Sequence, residues 1–156
     1  MQTRGIIVRA GLVTMAFIAT SCAVNQAAGD TVGEPVESYD GLLAALRGNG
    51  STVEPVGPIS QPFFVPEGRV ISVDGYEVQV FEFSIEQNAR SAAASISPDG
   101  SSVGTTIISW VETPHFYKSG KLIVLYVGEE AAVVDALEVV LGAQIAGGRS
   151  RGRSPY

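Results

Sequence analysis

Residues 70–83, which read VISVDGYEVQVFEF, predict the central feature of the fold. Two runs rich in β-branched and aromatic residues, 70–73 and 76–83, flank the dipeptide Asp74-Gly75. Both residues of such a dipeptide tolerate positive φ angles, which the tight turn of a two-residue hairpin requires. We therefore expect two antiparallel strands that are joined at Asp74-Gly75.

Helical and strand patterns continue on both sides of this hairpin. Leu42, Leu43 and Leu46 recur at helical spacing within residues 38–47, and the glycines that follow end that helix. The other expected elements are a strand over 52–56, a helix over 84–97, strands over 105–112 and 122–127, and a helix over 129–145. Because short turns join adjacent strands, the order α-β-β-β-α-β-β-α predicts an α+β domain. Its antiparallel sheet has about five strands, and three helices pack mainly on one face.

Two stretches of the chain resemble each other. Each carries an apolar residue, a Gly-Ser turn, a valine, a Pro-x-Phe segment and a Gly-basic turn before an apolar strand. The first set is Leu46, Gly50, Ser51, Val53, Pro62, Phe64, Gly68 and Arg69; the second is Ile96, Gly100, Ser101, Val103, Pro114, Phe116, Gly120 and Lys121. An internal duplication explains this pattern, and so does a recurrence of the same turn chemistry.

The N-terminal segment has the order basic, apolar, small, cysteine. Arg4 and Arg9 precede a run of apolar and small residues over 10–20, which leads to Ser21 and the only cysteine of the chain, Cys22. The apolar part is about half the ~20 residues that a membrane-spanning helix needs. A short apolar core with a basic front and small residues at its end indicates a cleaved export signal.

The tetrapeptide Ala19-Thr20-Ser21-Cys22 resembles the lipobox of bacterial lipoproteins, with Ala19 where leucine is usual. The resemblance implies that the Cys22 thiol receives a diacylglyceryl group, and that the cysteine then becomes the N-terminus and is acylated again. Two acyl chains give a stable membrane anchor, whereas one chain holds a protein only reversibly. The alternative is an ordinary secretory signal with a thiol nearby. The resemblance to the lipobox signal covers residues 1–22. The rest of the chain resembles small bacterial lipoproteins whose activity is not known.

Composition divides the chain into four segments. Residues 1–21 are the expected signal peptide, residues 22–38 a flexible tether, residues 39–146 a single α+β domain and residues 147–156 a disordered basic tail. Residues 40–146 contain five basic and thirteen acidic side chains, a net charge of −8. Nucleic-acid binding needs a basic footprint, so we expect no nucleic-acid partner.

His115 is the only histidine, so a Ser-His-acid site would have to use it, with Glu112 as a nearby acid. However, Pro114 predicts a turn, and Phe116 and Tyr117 indicate packing at a strand end. We therefore expect no catalytic residue. One histidine and one lipid-bearing cysteine do not supply the ligands of a zinc site, and no glycine-rich phosphate loop occurs. We expect neither a metal nor a cofactor.

Aromatic side chains concentrate around the two Pro-x-Phe segments. The candidate partner-binding residues are Phe63, Phe64, His115, Phe116 and Tyr117. If the two segments meet in space, these side chains form an exposed patch of the kind that marks a partner site. The alternative is that they complete the core between the sheet and the helices.

Anchor, charge and aromatic residues together predict a non-enzymatic, lipid-anchored protein of the cell envelope, on the extracytoplasmic face of a membrane. Its expected partners are that membrane, through Cys22, and a protein, a peptide or an envelope polymer. One alternative is an envelope hydrolase that uses His115. Another is an accessory subunit of a transport or envelope-assembly complex.

Overall fold

The structure, a computed structural model, describes residues 35–148, which belong to one compact unit. The predicted signal peptide, Cys22, the first part of the predicted tether and residues 149–156 of the predicted tail lie outside the described residues.

Three helices and eight strands make up the described part of the chain. In chain order they are α1 (Tyr39–Gly48), β1 (Val53–Ile59), β2 (Gly68–Val73), β3 (Tyr76–Glu82), α2 (Glu86–Ala94), β4 (Ser102–Val103), β5 (Thr106–Ile107), β6 (Pro114–Ser119), β7 (Leu122–Val127), α3 (Ala131–Leu141) and β8 (Ala146–Gly147). Six strands form one antiparallel sheet in the order β1-β2-β3-β7-β6-β8, and β4 pairs with β5 in a small second sheet.

The predicted hairpin is present as β2 and β3. Val73 pairs with Tyr76, and both turn residues have positive φ angles, 51° at Asp74 and 92° at Gly75. The Asp74 carboxylate also accepts a hydrogen bond of 2.7 Å from the backbone N–H of Thr52. This bond ties the turn to the segment that leads into β1.

One face of the sheet packs against α1 and α3. The Ser38 hydroxyl caps α1 by accepting a hydrogen bond of 3.2 Å from the backbone N–H of Gly41. Leu42 and Leu46 of α1, and Leu137 of α3, are fully buried against the sheet. Apolar side chains from five strands complete this core, namely Val53, Ile71, Val73, Val78, Val80, Tyr117, Leu122, Val124 and Tyr126.

The opposite face packs against α2, the β4–β5 hairpin and the loop over residues 60–67. Its core contains Phe64, Phe81, Phe83, Ala89, Ile96, Val103, Phe116, Ile123, Leu125 and Ala146. The predicted α+β class and antiparallel sheet are confirmed. Two of the three helices share one face, and α2 covers the other, because β7 is apolar on both sides and needs cover on both.

Residues 114–119 form a strand, although Pro114 predicts a turn. Pro114 is the first residue of β6, a position where the missing N–H removes no interior ladder bond. The strand predicted over 105–112 is reduced to Thr106–Ile107. Beyond it the chain leaves the ladder, and Trp110 Nε1 donates a hydrogen bond of 2.7 Å to the carbonyl oxygen of Gly100.

The two similar stretches of sequence do not have the same structure. Pro62 and Phe64 lie in a loop, whereas Pro114 and Phe116 lie in β6. The shared residues therefore place similar side chains in different elements.

The residues that precede α1 also pack against the domain. Val36 is buried, and Glu37 crosses the β6–β7 turn at Gly120. A Cβ added to Gly120 would lie 2.9 Å from the Cα of Glu37, and the φ angle of this glycine is 50°. The start of the described chain therefore lies at the end of the sheet that carries the β6–β7 turn.

Candidate binding groove

A groove with a cavity volume of about 960 Å³ crosses this same end of the sheet. Gly68 at the start of β2 pairs with Phe81, and Glu82 at the end of β3 pairs with Leu122 at the start of β7. The groove is lined by Phe83 from the core under α2 and by Val80 from the core under α1. It therefore passes around the sheet end from one face to the other.

The loop over residues 60–67 forms one wall of the groove. Gln61 Nε2 donates a hydrogen bond of 2.9 Å to Gln79 Oε1, and the Phe64 and Phe81 ring centroids are 4.8 Å apart. These contacts hold the base of the loop on the sheet. At its tip, Val65 is 99% exposed and also lines the groove. The loop thus offers apolar side chains to solvent from a fixed base.

An aromatic cluster underlies this wall. The half-buried Phe63 ring lies 5.0 Å from Phe64 and 6.2 Å from Trp110, and Phe64 lies 6.1 Å from Phe83. The ring planes are inclined by 70° or more, which is the edge-to-face arrangement that aromatic pairs prefer. Phe63 therefore connects the groove to Trp110, the only tryptophan of the chain.

The facing wall is the start and outer side of α2, where polar side chains recur every three or four residues. They are Ser84, Asn88, Ser91 and Ser95, all exposed. Asn88 Nδ2 donates to Ser84 Oγ at 3.2 Å, and Ser95 Oγ donates to the carbonyl oxygen of Ala92 at 2.7 Å. This wall offers hydroxyl and amide groups to a ligand, in contrast to the apolar loop across the groove.

The part of the groove on the α1 face is charged. Lys121 Nζ lies 2.9 Å from Glu82 Oε1, so these two side chains neutralise each other. The guanidinium of Arg69 lies over the Tyr39 ring, 4.3 Å from its centroid. Arg69 makes no ion pair within residues 35–148, and Glu67 is the fourth charged residue of the lining. The lining therefore has no net charge but contains one cation with unused donors.

A second groove of about 370 Å³ adjoins the first on the β1 side. The two share Tyr39, Glu67 and Arg69, and the smaller one is also lined by Pro55, Gly57 and Pro58 of β1. Arg69 thus borders both grooves.

The structure corrects the expectation of an exposed aromatic patch. Phe116 and Tyr117 are fully buried and His115 retains only 8% exposure, because strand β6 lies inside the sheet under α2 and α3. Phe64 retains only 7% exposure, because its ring packs on Phe81 and Phe83. Of the five candidate partner-binding residues, Phe63 and the rim of Phe64 line the groove. The two Pro-x-Phe segments do approach each other, through Phe63, Trp110 and Phe116. The side chains through which the two segments contact each other lie mainly in the hydrophobic core.

Tyr117 carries an unusual buried hydroxyl. Its oxygen has no hydrogen-bond partner among the described residues. Burial raises the pKa of this phenol, and the negative charges of Glu138 and Asp135 on α3 raise it further. The hydroxyl therefore stays protonated near neutral pH.

His115 is held from both sides. Its Nε2 lies 3.0 Å from the carbonyl oxygen of Gly128, its Nδ1 lies 2.8 Å from Gln144 Oε1, and its ring stacks on Tyr126. Its hydrogen-bond partners in residues 35–148 include neither a serine hydroxyl nor a carboxylate. The imidazole thus joins β6 to the segments that precede α3 and β8.

Metal-ligand clusters and membrane-spanning helices can be assessed for the described residues. No set of three or more His, Cys, Asp or Glu side chains between residues 35 and 148 is arranged to hold a metal ion. Over the same span, no helix combines the length and the apolar character that crossing a membrane requires. Cys22, the predicted site of lipid attachment, lies outside this span.

Sequence reasoning did not propose Arg69 or the polar side of α2 as parts of a binding site. Two signals were present: Arg69 precedes the apolar run of β2, and Ser84, Asn88, Ser91 and Ser95 recur with helical spacing. Neither signal shows that these residues face the loop over 60–67, because that depends on the path of the loop across the sheet. No protein-family model, curated protein or solved structure matches the chain.

Proposed function

We propose that this protein is a non-enzymatic binding module of the cell envelope, held at the extracytoplasmic face of a membrane by lipid on Cys22. The observation that carries the binding role is the open groove at the sheet end. Its volume of about 960 Å³ falls in the range of small-ligand sites, and it combines apolar, hydroxyl and charged side chains. Such a mixture gives both contact area and orientation to a bound molecule.

The membrane location is supported by the N-terminal sequence. Ala19-Thr20-Ser21-Cys22 has the pattern of a lipobox after a short apolar run. Twelve residues separate Cys22 from Pro35, and a chain of that length spans at most about 40 Å. A lipid on Cys22 would therefore keep the domain, and the groove beside Glu37 and Lys121, close to the bilayer surface.

The anchor is tested by a Cys22→Ser variant. We expect the unchanged protein to remain with the membrane fraction and its mature N-terminal cysteine to carry the mass of added acyl chains. The variant should appear in the soluble extracytoplasmic fraction. An unmodified thiol on the mature unchanged chain would refute the anchor and leave the groove as a separate question.

The binding role is tested in cells by photo-crosslinking. A photoreactive amino acid replaces Val65, which lines the groove, or Val111, which does not. Both side chains are more than 90% exposed, so neither replacement disturbs the core. We expect a discrete adduct from position 65 and none from position 111. Equal adducts from both positions, or none from position 65, would refute the binding role of the groove.

A further inference from the structure

We infer that the groove binds a short extended peptide segment that carries a bulky apolar side chain and a free carboxylate. This inference rests on the proposed binding role and names the chemistry of the ligand. Three observations carry it: the guanidinium of Arg69, which has no ion pair within residues 35–148, the aromatic wall beside Val65 and the row of polar side chains on α2.

Arg69 is the cation that a carboxylate would meet. Lys121 is already paired with Glu82, whereas the Arg69 donors have no acidic partner within residues 35–148. Stacking on Tyr39 holds the guanidinium plane in place, which lowers the entropy lost when a ligand binds. A planar guanidinium offers two parallel N–H donors to a carboxylate.

Glu67 limits the charge of the ligand. It borders both grooves, as Arg69 does, but no ion pair joins the two side chains. A second negative charge on the ligand would lie near this carboxylate and the domain's other acids. The groove therefore favours a ligand with one carboxylate over a polyanion.

The apolar side chain of the ligand would pack against Phe63, Phe64 and Val65. Val65 is almost fully exposed in the described structure, and covering it and the Phe63 ring removes apolar surface from water. Phe83 also lines this part of the groove. The aromatic wall and Arg69 lie on opposite faces of the sheet, so the ligand has to be extended.

The polar wall distinguishes a peptide from a fatty acid, which also joins a carboxylate to an apolar part. Ser84, Asn88, Ser91 and Ser95 present hydroxyl and amide groups along the groove. A peptide backbone supplies donors and acceptors to match them, whereas a hydrocarbon chain would cover these groups without replacing their bonds to water. The facing walls therefore favour a peptide.

The probes are the acetylated tetrapeptide acetyl-Ala-Ala-Leu-Phe with a free C-terminal carboxylate, the same peptide with a C-terminal amide, and decanoate. Four extended residues reach over about 13 Å, enough to pass around a sheet edge. Binding to the full-length protein is followed by the fluorescence of Trp110, which contacts Phe63. We expect the peptide with the free carboxylate to bind about tenfold or more tighter than the amide. The amide cannot form the charged hydrogen bond with Arg69, and a bond of that kind contributes a free energy of about this size.

Variants assign this preference to residues. Arg69→Gln should remove the difference between acid and amide, and Glu67→Gln should strengthen binding of the acid. Val65→Ser should weaken both peptides. The matched controls Arg90→Gln and Val111→Ser change an exposed arginine and an exposed valine outside the groove, and should leave both affinities unchanged.

Three results would overturn the inference: equal binding of acid and amide, tighter binding of decanoate than of the acid peptide, or no binding of either peptide. None of these results bears on the crosslink from position 65. A crosslink without peptide binding would therefore keep the binding role and reject the peptide, while loss of the crosslink would reject both.

Discussion

The guanidinium carbon of Arg69 lies 4.3 Å from the centre of the Tyr39 ring, so the first residue of α1 holds a charged side chain of β2 at the border of two grooves. The contact connects the first turn of α1 to the sheet end. It also fixes the one cation of the groove lining that has no ion pair within the described residues.

Arg69→Gln should lower the free energy of unfolding by about 0.5–1 kcal/mol, because an exposed cation–π contact has that strength. Urea unfolding followed by Trp110 fluorescence measures the change. Arg90→Gln is the control, since it removes only an exposed ion pair with Glu86 and should cost less than about 0.5 kcal/mol. A loss above about 2 kcal/mol for Arg69→Gln would mean that this side chain supports the fold rather than the groove.

Phe116→Ala should destabilise the domain by about 3–5 kcal/mol, because the ring is fully buried between β7 and Trp110 and its removal leaves a cavity. Thermal or urea unfolding checks this expectation. Val111→Ala, at a position 94% exposed, should change stability by no more than about 0.5 kcal/mol. A stable Phe116→Ala protein would contradict the assignment of Phe116 to the core.

Tyr117→Phe should leave stability unchanged or raise it slightly. The hydroxyl has no partner among the described residues, so the native chain bears the cost of its desolvation without a compensating hydrogen bond. The comparison is the unfolding free energy of the two proteins in urea. A loss of more than about 1 kcal/mol would show that the hydroxyl has a partner that residues 35–148 do not supply.

Asp99 should make stability depend on pH in the acid range. Its carboxylate accepts hydrogen bonds from the Ser97 hydroxyl at 2.7 Å and from the Ser101 hydroxyl and backbone N–H at 2.9 and 3.1 Å. These bonds lower the pKa of Asp99 from 3.8 to about 2. A carboxyl with a lowered pKa stabilises the folded state above its ordinary pKa, and this contribution is lost as the pH falls through about 2.

The check for Asp99 is a comparison with Asp99→Asn. The unchanged protein should be the more stable of the two at pH 6, and the difference should shrink between pH 4 and pH 2. A stability difference that is the same at pH 6 and pH 2 would contradict the role of the ionised carboxylate. Urea unfolding of both proteins at each pH measures the difference in their free energies of unfolding.

The sequence predicted the elements whose signals are local. The Asp74-Gly75 turn depends on two adjacent residues that accept positive φ, and α1 and α3 depend on leucine and valine spacing within a few turns. The antiparallel sheet followed from short connections between strands. The strand β6 was not predicted, because a proline such as Pro114 usually indicates a turn. Proline is nevertheless tolerated at the first position of a strand, which is where Pro114 lies.

The candidate site was predicted only in part. Phe63 and Phe64 were singled out and do line the groove, but His115, Phe116 and Tyr117 are interior because β6 lies within the sheet. Exposure of a side chain depends on which helices, strands and loops pack over it. The sequence of one chain does not show which elements those are.

The sequence by itself determined the turn, the helical periods, the acidic charge of the domain and the lipobox-like order around Cys22. Only the tertiary structure decided that α2 covers the face opposite α1 and α3, and that the loop over 60–67 closes a groove against it. The physical reason is the range of the interactions. Turns and periods arise between near neighbours in the chain, whereas Arg69 meets Tyr39, and Phe63 meets Trp110, only after the sheet has formed.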